Sequence, residues 1–77
     1  MKETKKAEQA YLKTIEINPT YADAHYNLGV FYDGVMRNRR KAAQHYWKYL
    51  DLKPLSPKAV QVAQWLNSVE EKTGGKP

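Results

Sequence analysis

His25 and His45 are the residues whose chemistry most readily suggests a reaction, and they are the only imidazoles among 77 residues. A histidine serves as a general base or as a metal ligand. His25 falls within an apolar helical stripe, where a hydrogen-bonded core histidine is expected instead. The chain has no cysteine, and no nucleophile-elbow or phosphate-loop motif occurs. We therefore predict no enzyme, no catalytic residue, no metal site and no cofactor.

A basic run is the second chemically distinctive feature, in a chain of net charge +5. It consists of Arg37, Arg39, Arg40 and Lys41, and it spans the start of a predicted helix whose N-terminal N–H groups favour anions. An anion-binding or nucleic-acid-binding surface through residues 37–41 is therefore our alternative function. We do not expect nucleic acid as the partner, because no binding motif and no stacking aromatic residue accompany the run.

Prolines and apolar periodicity divide the chain into four helices, so the predicted fold class is all-α. The first helix runs from about residue 2 to 17 and the second from Thr20, which forms a capping box with Asp23. The third begins near Arg39 and stops before residue 54. The fourth has Ser56 as its N-cap and Pro57 at its first position, and it ends near residue 73.

An internal repeat organises these helices. Three positions recur 35 residues later, which pairs Ala7 with Ala42, Tyr11 with Tyr46 and Pro19 with Pro54. Between the copies lie Leu28, Gly29 and Tyr32. A glycine inside a helix costs about 1 kcal/mol relative to alanine, so Gly29 needs a packing reason.

Together these residues resemble the tetratricopeptide repeat, a helix-turn-helix of 34 residues. The same Leu28, Gly29 and Tyr32, followed by Gly34-Val35 and Lys41-Ala42, also resemble the related Sel1-like repeat. Pro54 and the 35-residue period favour the tetratricopeptide resemblance. It implies antiparallel helices in a domain of residues 1–73, with residues 74–77 as a disordered tail. Within it, residues 2–18 are the second helix of a partial repeat, 20–54 a full repeat and 56–73 a capping helix. It also implies that two helices cross closely at Gly29.

The resemblance implies a protein-interaction scaffold that binds a peptide on the concave face formed by the first helix of each repeat. Carried over to this chain, that face consists of Asp23, Tyr26, Val30, Asp33, Lys58, Gln61 and Trp65. Trp65 has the alternative role of packing against the third helix. We do not expect binding of chaperone C-terminal carboxylates, because Val62 stands where that subclass has an arginine.

The first helix lacks the partner that should precede it in an array, and isolated repeats are seldom stable. We therefore expect the chain to be the C-terminal piece of a longer array, or to form homo-oligomers or swap helices through its uncovered first helix. Neither a signal sequence nor an apolar run long enough for a membrane span is visible. We expect a soluble, cytoplasmic protein with a protein or peptide partner.

Overall fold

The structure, a computed structural model, describes residues 2–73, with side chains from 3 to 69. This part of the chain folds into four α-helices in antiparallel succession, each packed on its neighbours along the chain. They are α1 (Lys2–Ile17), α2 (Ala22–Gly34), α3 (Arg39–Leu52) and α4 (Pro57–Thr73). The all-α prediction is confirmed, and the predicted tail at 74–77 lies outside the described residues.

The core lies between α2 and α3 and continues into α4. Leu28 and Ala42 are fully buried at the centre of the α2–α3 pair, and Val62 and Leu66 bring α4 against α3. Small residues let α2 and α3 pack closely, since an alanine projects little beyond the helix surface. Burial of each leucine or valine side chain stabilises the fold by about 1.5–3 kcal/mol.

Gly29 lies where α3 packs most tightly on α2. A Cβ atom at this position would lie 2.5 Å from Cε1 of Tyr46 and 2.6 Å from its Cδ1. The close approach is therefore between the α2 backbone and an aromatic ring, and not between two backbones. It provides the packing reason for a glycine in a helix interior.

The helix starts differ in how they are capped. Ser56 caps α4 as predicted, since its Oγ accepts the N–H of Ala59 at 3.2 Å. The capping box at Thr20 is wrong: α2 begins at Ala22, its N-cap is Tyr21, and no side chain bonds to the helix end. The reason is a preceding turn in which the Tyr21 N–H donates to the Asn18 carbonyl at 3.1 Å.

The connection between α2 and α3 is a tight turn with one strained residue. Arg37 has φ of 53°, in the left-handed region that is uncommon outside glycine. The Asn38 N–H donates to the Tyr32 carbonyl at 2.8 Å, and the Asn38 side chain accepts the N–H of Lys41 at 3.1 Å. This turn fixes where α3 starts relative to α2.

The first helix is only half covered. Tyr11 packs on Phe31 with ring centroids 5.5 Å apart, and the Tyr32 hydroxyl donates to Glu8 Oε2 at 2.7 Å. Burial, followed by that hydrogen bond, raises the pKa of Tyr32 to about 12. Leu12 remains 42% exposed. In residues 2–73 no helix combines the length and the apolar character needed to cross a membrane.

Candidate functional site

A cleft opens where side chains of α2, α3 and α4 converge, and we call it the α2–α4 cleft. Its volume is about 170 Å³, and it is lined by Tyr26, Tyr46, Gln61, Val62 and Trp65. Tyr26 and Gln61 are 35 residues apart and therefore occupy equivalent repeat positions on α2 and α4. The fold thus brings together three of the residues singled out from the sequence: Tyr26, Gln61 and Trp65.

Three of the five residues that line the cleft are aromatic. The Tyr46 and Trp65 rings meet edge to face with centroids 4.8 Å apart, and Tyr26 lies 5.9 Å from Tyr46. Tyr46 belongs to α3 and reaches these partners because its ring passes over Gly29. Burial, followed by the fields of Tyr26 and Asp33, raises the pKa of Tyr46 to about 12, so its hydroxyl is neutral at physiological pH.

Polar contacts join α2 to α4 along the edge of the cleft. Lys58 Nζ lies 3.9 Å from Asp23 Oδ1 and 4.7 Å from the centroid of the Tyr26 ring. The Trp65 Nε1–H donates to Asp33 Oδ2 at 3.3 Å. The Lys58–Asp23 pair is about half exposed, so its contribution to stability is about 0–1 kcal/mol. These contacts orient α4 side chains toward α2 and add little to stability.

The remaining positions on this face have distinct environments. Val30 is 45% exposed and points to solvent. Val62 is buried to 2% in the core, and it occupies the place where a carboxylate-binding repeat would carry an arginine. Trp65 packs on α3 through Tyr46 and also lines the cleft. Sequence reasoning missed Tyr46 as a cleft residue; its pairing with Gly29 is the signal that identifies it.

The two histidines meet between α2 and α3, with ring centroids 5.6 Å apart. His25 is 5% exposed, and its Nε2 lies 2.9 Å from the Pro19 carbonyl oxygen, which only accepts. Nε2 therefore donates, and Nδ1 of neutral His25 accepts from His45 Nδ1–H across 3.4 Å. Within the described residues, no cluster of three or more His, Cys, Asp or Glu is arranged to hold a metal ion.

The basic run lies on the exposed α2–α3 turn and the first turn of α3. Arg37, Arg39, Arg40 and Lys41 are all exposed, and Lys41 Nζ lies 5.5 Å from the Tyr32 ring centroid. Tyr32 itself is only 2% exposed, so it offers no face on which a base could stack.

A second cleft, the α3–α4 cleft, opens on the other side of α4. Its volume is about 450 Å³, and it is lined by Trp47, Leu50, Ala63, Gln64, Leu66 and Asn67. Ala63, Gln64 and Asn67 are the α4 counterparts, 35 residues on, of Leu28, Gly29 and Tyr32, the residues with which α2 contacts α3. The α3–α4 cleft is therefore the place on α4 that corresponds to the α3-binding face of α2.

The fold and the clefts define an all-α protein built from a helical repeat. Residues 10–44 match the sequence model of the tetratricopeptide repeat, and this match supports placing the repeat in that family. The matched stretch is 35 residues long, one period of the repeat, and it runs from within α1 to within α3. No curated protein and no solved structure gives a significant match to the chain.

Proposed function

We propose that this chain is a non-catalytic protein-interaction module that binds a peptide segment of a partner protein in the α2–α4 cleft. Tetratricopeptide repeats are generally protein-interaction modules, which supports this proposal at the level of the family. The observation that carries it for this chain is the meeting of Tyr26, Tyr46 and Trp65 around one cleft. Tyrosine and tryptophan are the residues that dominate binding hot spots.

The architecture of the array forms the second part of the proposal. In our interpretation, residues 2–18 are the second helix of a partial repeat, 20–54 a full repeat and 56–73 a capping helix. The half-covered face of α1, where Leu12 is 42% exposed, is then completed by another repeat or by a second copy of the chain. Self-association through α1 is therefore part of the proposed function.

Two glutamines on α4 provide a matched test of the peptide site. Gln61 lines the α2–α4 cleft and Gln64 lines the α3–α4 cleft, and both are exposed on the same helix. Peptides that bind the full chain are first selected from a displayed random library. The Gln61→Arg substitution in the chain should lower their affinity at least tenfold. The Gln64→Arg substitution should change their affinity less than twofold. Circular dichroism checks that both variants remain helical.

The outcome that contradicts the peptide site is equally specific. Selected peptides that bind Gln61→Arg as well as the unmodified chain, or a library that yields no binder, would refute it.

Residues 37–41 remain the alternative, as an anion-binding surface. Titration with a DNA duplex at 50 and 200 mM salt tests it, since phosphate contacts weaken steeply with salt. Tight binding that is abolished by Arg39→Glu with Arg40→Glu would favour that alternative.

A further inference from the structure

We propose that the α2–α4 cleft recognises a cationic side chain, the ammonium of lysine or the guanidinium of arginine, on the partner peptide. The cation lies against the rings of Tyr26, Tyr46 and Trp65, with Asp33 as its counter-charge. This inference rests on the proposed peptide binding and names the chemistry of the partner.

The three aromatic rings of the cleft are inclined to one another. Tyr46 meets Trp65 at 4.8 Å with an interplanar angle of 71°, and it meets Tyr26 at 5.9 Å and 48°. Rings that are inclined to one another present both faces and edges around the same space. Aromatic faces carry negative charge and attract a cation within about 6 Å of the centroid.

An ammonium group of the chain itself already lies against one of these rings. Lys58 Nζ is 4.7 Å from the centroid of Tyr26, and Asp23 Oδ1 lies 3.9 Å from the same nitrogen. The chain's own lysine thus uses the ring-and-carboxylate combination that we infer for the partner. Lys58 is not among the residues that line the cleft, so its contact leaves the cleft open.

A carboxylate lies beside the cleft, hydrogen-bonded to one of its walls, although Asp33 is not itself a lining residue. The Asp33 carboxylate accepts the Trp65 indole N–H at 3.3 Å. The ion pairs formed by the described side chains are Lys13–Glu16 and Lys58–Asp23, so Asp33 is not neutralised by either. Asp33 also contributes, after burial and Tyr26, to the raised pKa of Tyr46, which places the Asp33 carboxylate near the Tyr46 hydroxyl. The Asp33 carboxylate would repel an anionic side chain in the cleft and stabilise a cationic one.

Small probes test the cleft without requiring a peptide partner. The full chain is titrated with N-acetyl-lysine methylamide, its trimethyllysine analogue, the neutral isostere N-acetyl-norleucine methylamide and the anionic N-acetyl-glutamate methylamide. The readout is the indole N–H signal in a ¹H–¹⁵N spectrum. Trp47 is an internal control, because it lies in the α3–α4 cleft.

The cationic probes should shift the Trp65 indole signal in a saturable manner and leave that of Trp47 unchanged. We expect them to bind roughly threefold to tenfold more tightly than the norleucine probe, as a cation–π contact with a nearby carboxylate implies. The Asp33→Asn substitution keeps the side-chain shape and should remove most of the preference for the cationic probes over the norleucine probe. Asp51→Asn removes an equal charge from an exposed position on α3 outside the cleft and should retain the preference.

Several results overturn this inference. They are equal binding of the lysine and norleucine probes, tighter binding of the glutamate probe, no shift of Trp65 with any cation, or an unchanged preference in Asp33→Asn. Failure of the cation site is distinguishable from failure of the proposed function. Library peptides that require Gln61 but carry no basic residue refute the cation site alone, whereas cationic probes that bind where no peptide does refute peptide binding alone.

Discussion

At the scale of single residues, Gly29 connects the packing of the fold to the shape of the cleft. A side chain at this position meets the Tyr46 ring, which is itself held by Tyr26 and Trp65. The same ring therefore fills the space above the glycine and forms a wall of the α2–α4 cleft. The absence of one side chain in α2 determines where an aromatic residue of α3 can lie.

We predict that Gly29→Ala destabilises the fold by about 1 kcal/mol. Overpacking a core costs about 1–3 kcal/mol, and the better helix propensity of alanine offsets about 1 kcal/mol of it. Gly34→Ala is the control, since no atom lies within 4 Å of a Cβ built there. Urea unfolding of both variants is the measurement. Equal stability of Gly29→Ala and Gly34→Ala would show that Tyr46 moves aside at no cost.

The lowered pKa of His45 predicts that stability depends on pH. Burial, then the neighbouring His25 and Lys41, lowers the pKa of His45 below its usual value. The unfolded chain therefore takes up this proton near pH 6.5, while the folded chain takes it up only at lower pH. The contribution of His45 is present above about pH 6.5 and is lost as pH falls through its folded pKa.

We therefore predict a lower free energy of unfolding at pH 5 than at pH 7.5, with a smaller difference in His45→Gln. Urea unfolding at the two pH values measures it, and ¹⁵N shifts of the imidazoles report the tautomers. Identical pH dependence in the variant would assign the effect to groups other than His45. The expected neutral tautomers carry the proton on Nε2 of His25 and on Nδ1 of His45.

At the scale of elements, the starts of α2, α3 and α4 differ in their capping. Ser56 and Asn38 accept backbone N–H groups of α4 and α3, whereas α2 starts without a side-chain cap. Ser56 Oγ also lies 2.7 Å from the Tyr49 hydroxyl, so the cap of α4 is tied to α3. The turns between helices are therefore set by short polar contacts, and the helix faces by apolar burial.

Alanine substitutions should distinguish the helix starts that have a side-chain cap from the one that does not. We predict that Ser56→Ala and Asn38→Ala each lower the free energy of unfolding by about 1 kcal/mol, the usual value for a lost N-cap. Thr20→Ala should change it by less than about 0.5 kcal/mol, as for an exposed position without a special role. Thermal and urea unfolding measure all three. A loss at Thr20 as large as that at Ser56 would restore the capping box that the structure contradicts.

At the scale of the whole molecule, the two ends of the helical succession are unlike. α1 exposes part of its apolar stripe, while α4 presents Gln64 at the position equivalent to Gly29. In an end-to-end array of copies, Tyr11 of one chain would meet Gln64 of the next, just as Tyr46 meets Gly29 within the chain. A Cβ atom at Gly29 would clash with the Tyr46 ring, so we expect Gln64 to oppose indefinite stacking of copies through the equivalent contact.

We predict that Gln64→Gly increases end-to-end association and that the added Leu12→Lys reverses it. Sedimentation velocity over a range of protein concentrations is the measurement, and Gln64→Ala is the control because its Cβ remains. Unchanged sedimentation of Gln64→Gly would show that α4 does not receive another helix in the α3 position. A monomer at all concentrations in the unmodified chain would refute self-association through α1.

Local sequence alone determined most of the helix positions and helix ends of this protein. Apolar spacing, the prolines and Ser56 predict the helices correctly, because helix faces and most ends are encoded within a few neighbouring residues. The 35-residue period also indicated which positions of α2 and α4 are equivalent, and hence that Tyr26 and Gln61 lie on a common face.

Only the tertiary structure decided which distant side chains meet. The contacts of His25 with His45, Tyr32 with Glu8 and Trp65 with Asp33 join residues 20 to 32 positions apart. Their distances depend on how the helices cross and on the turn at residues 35–38, which no short window of sequence specifies. For the same reason Tyr46 was recognised as a core residue from its spacing, while its place in the α2–α4 cleft became evident only when α3 was packed over Gly29.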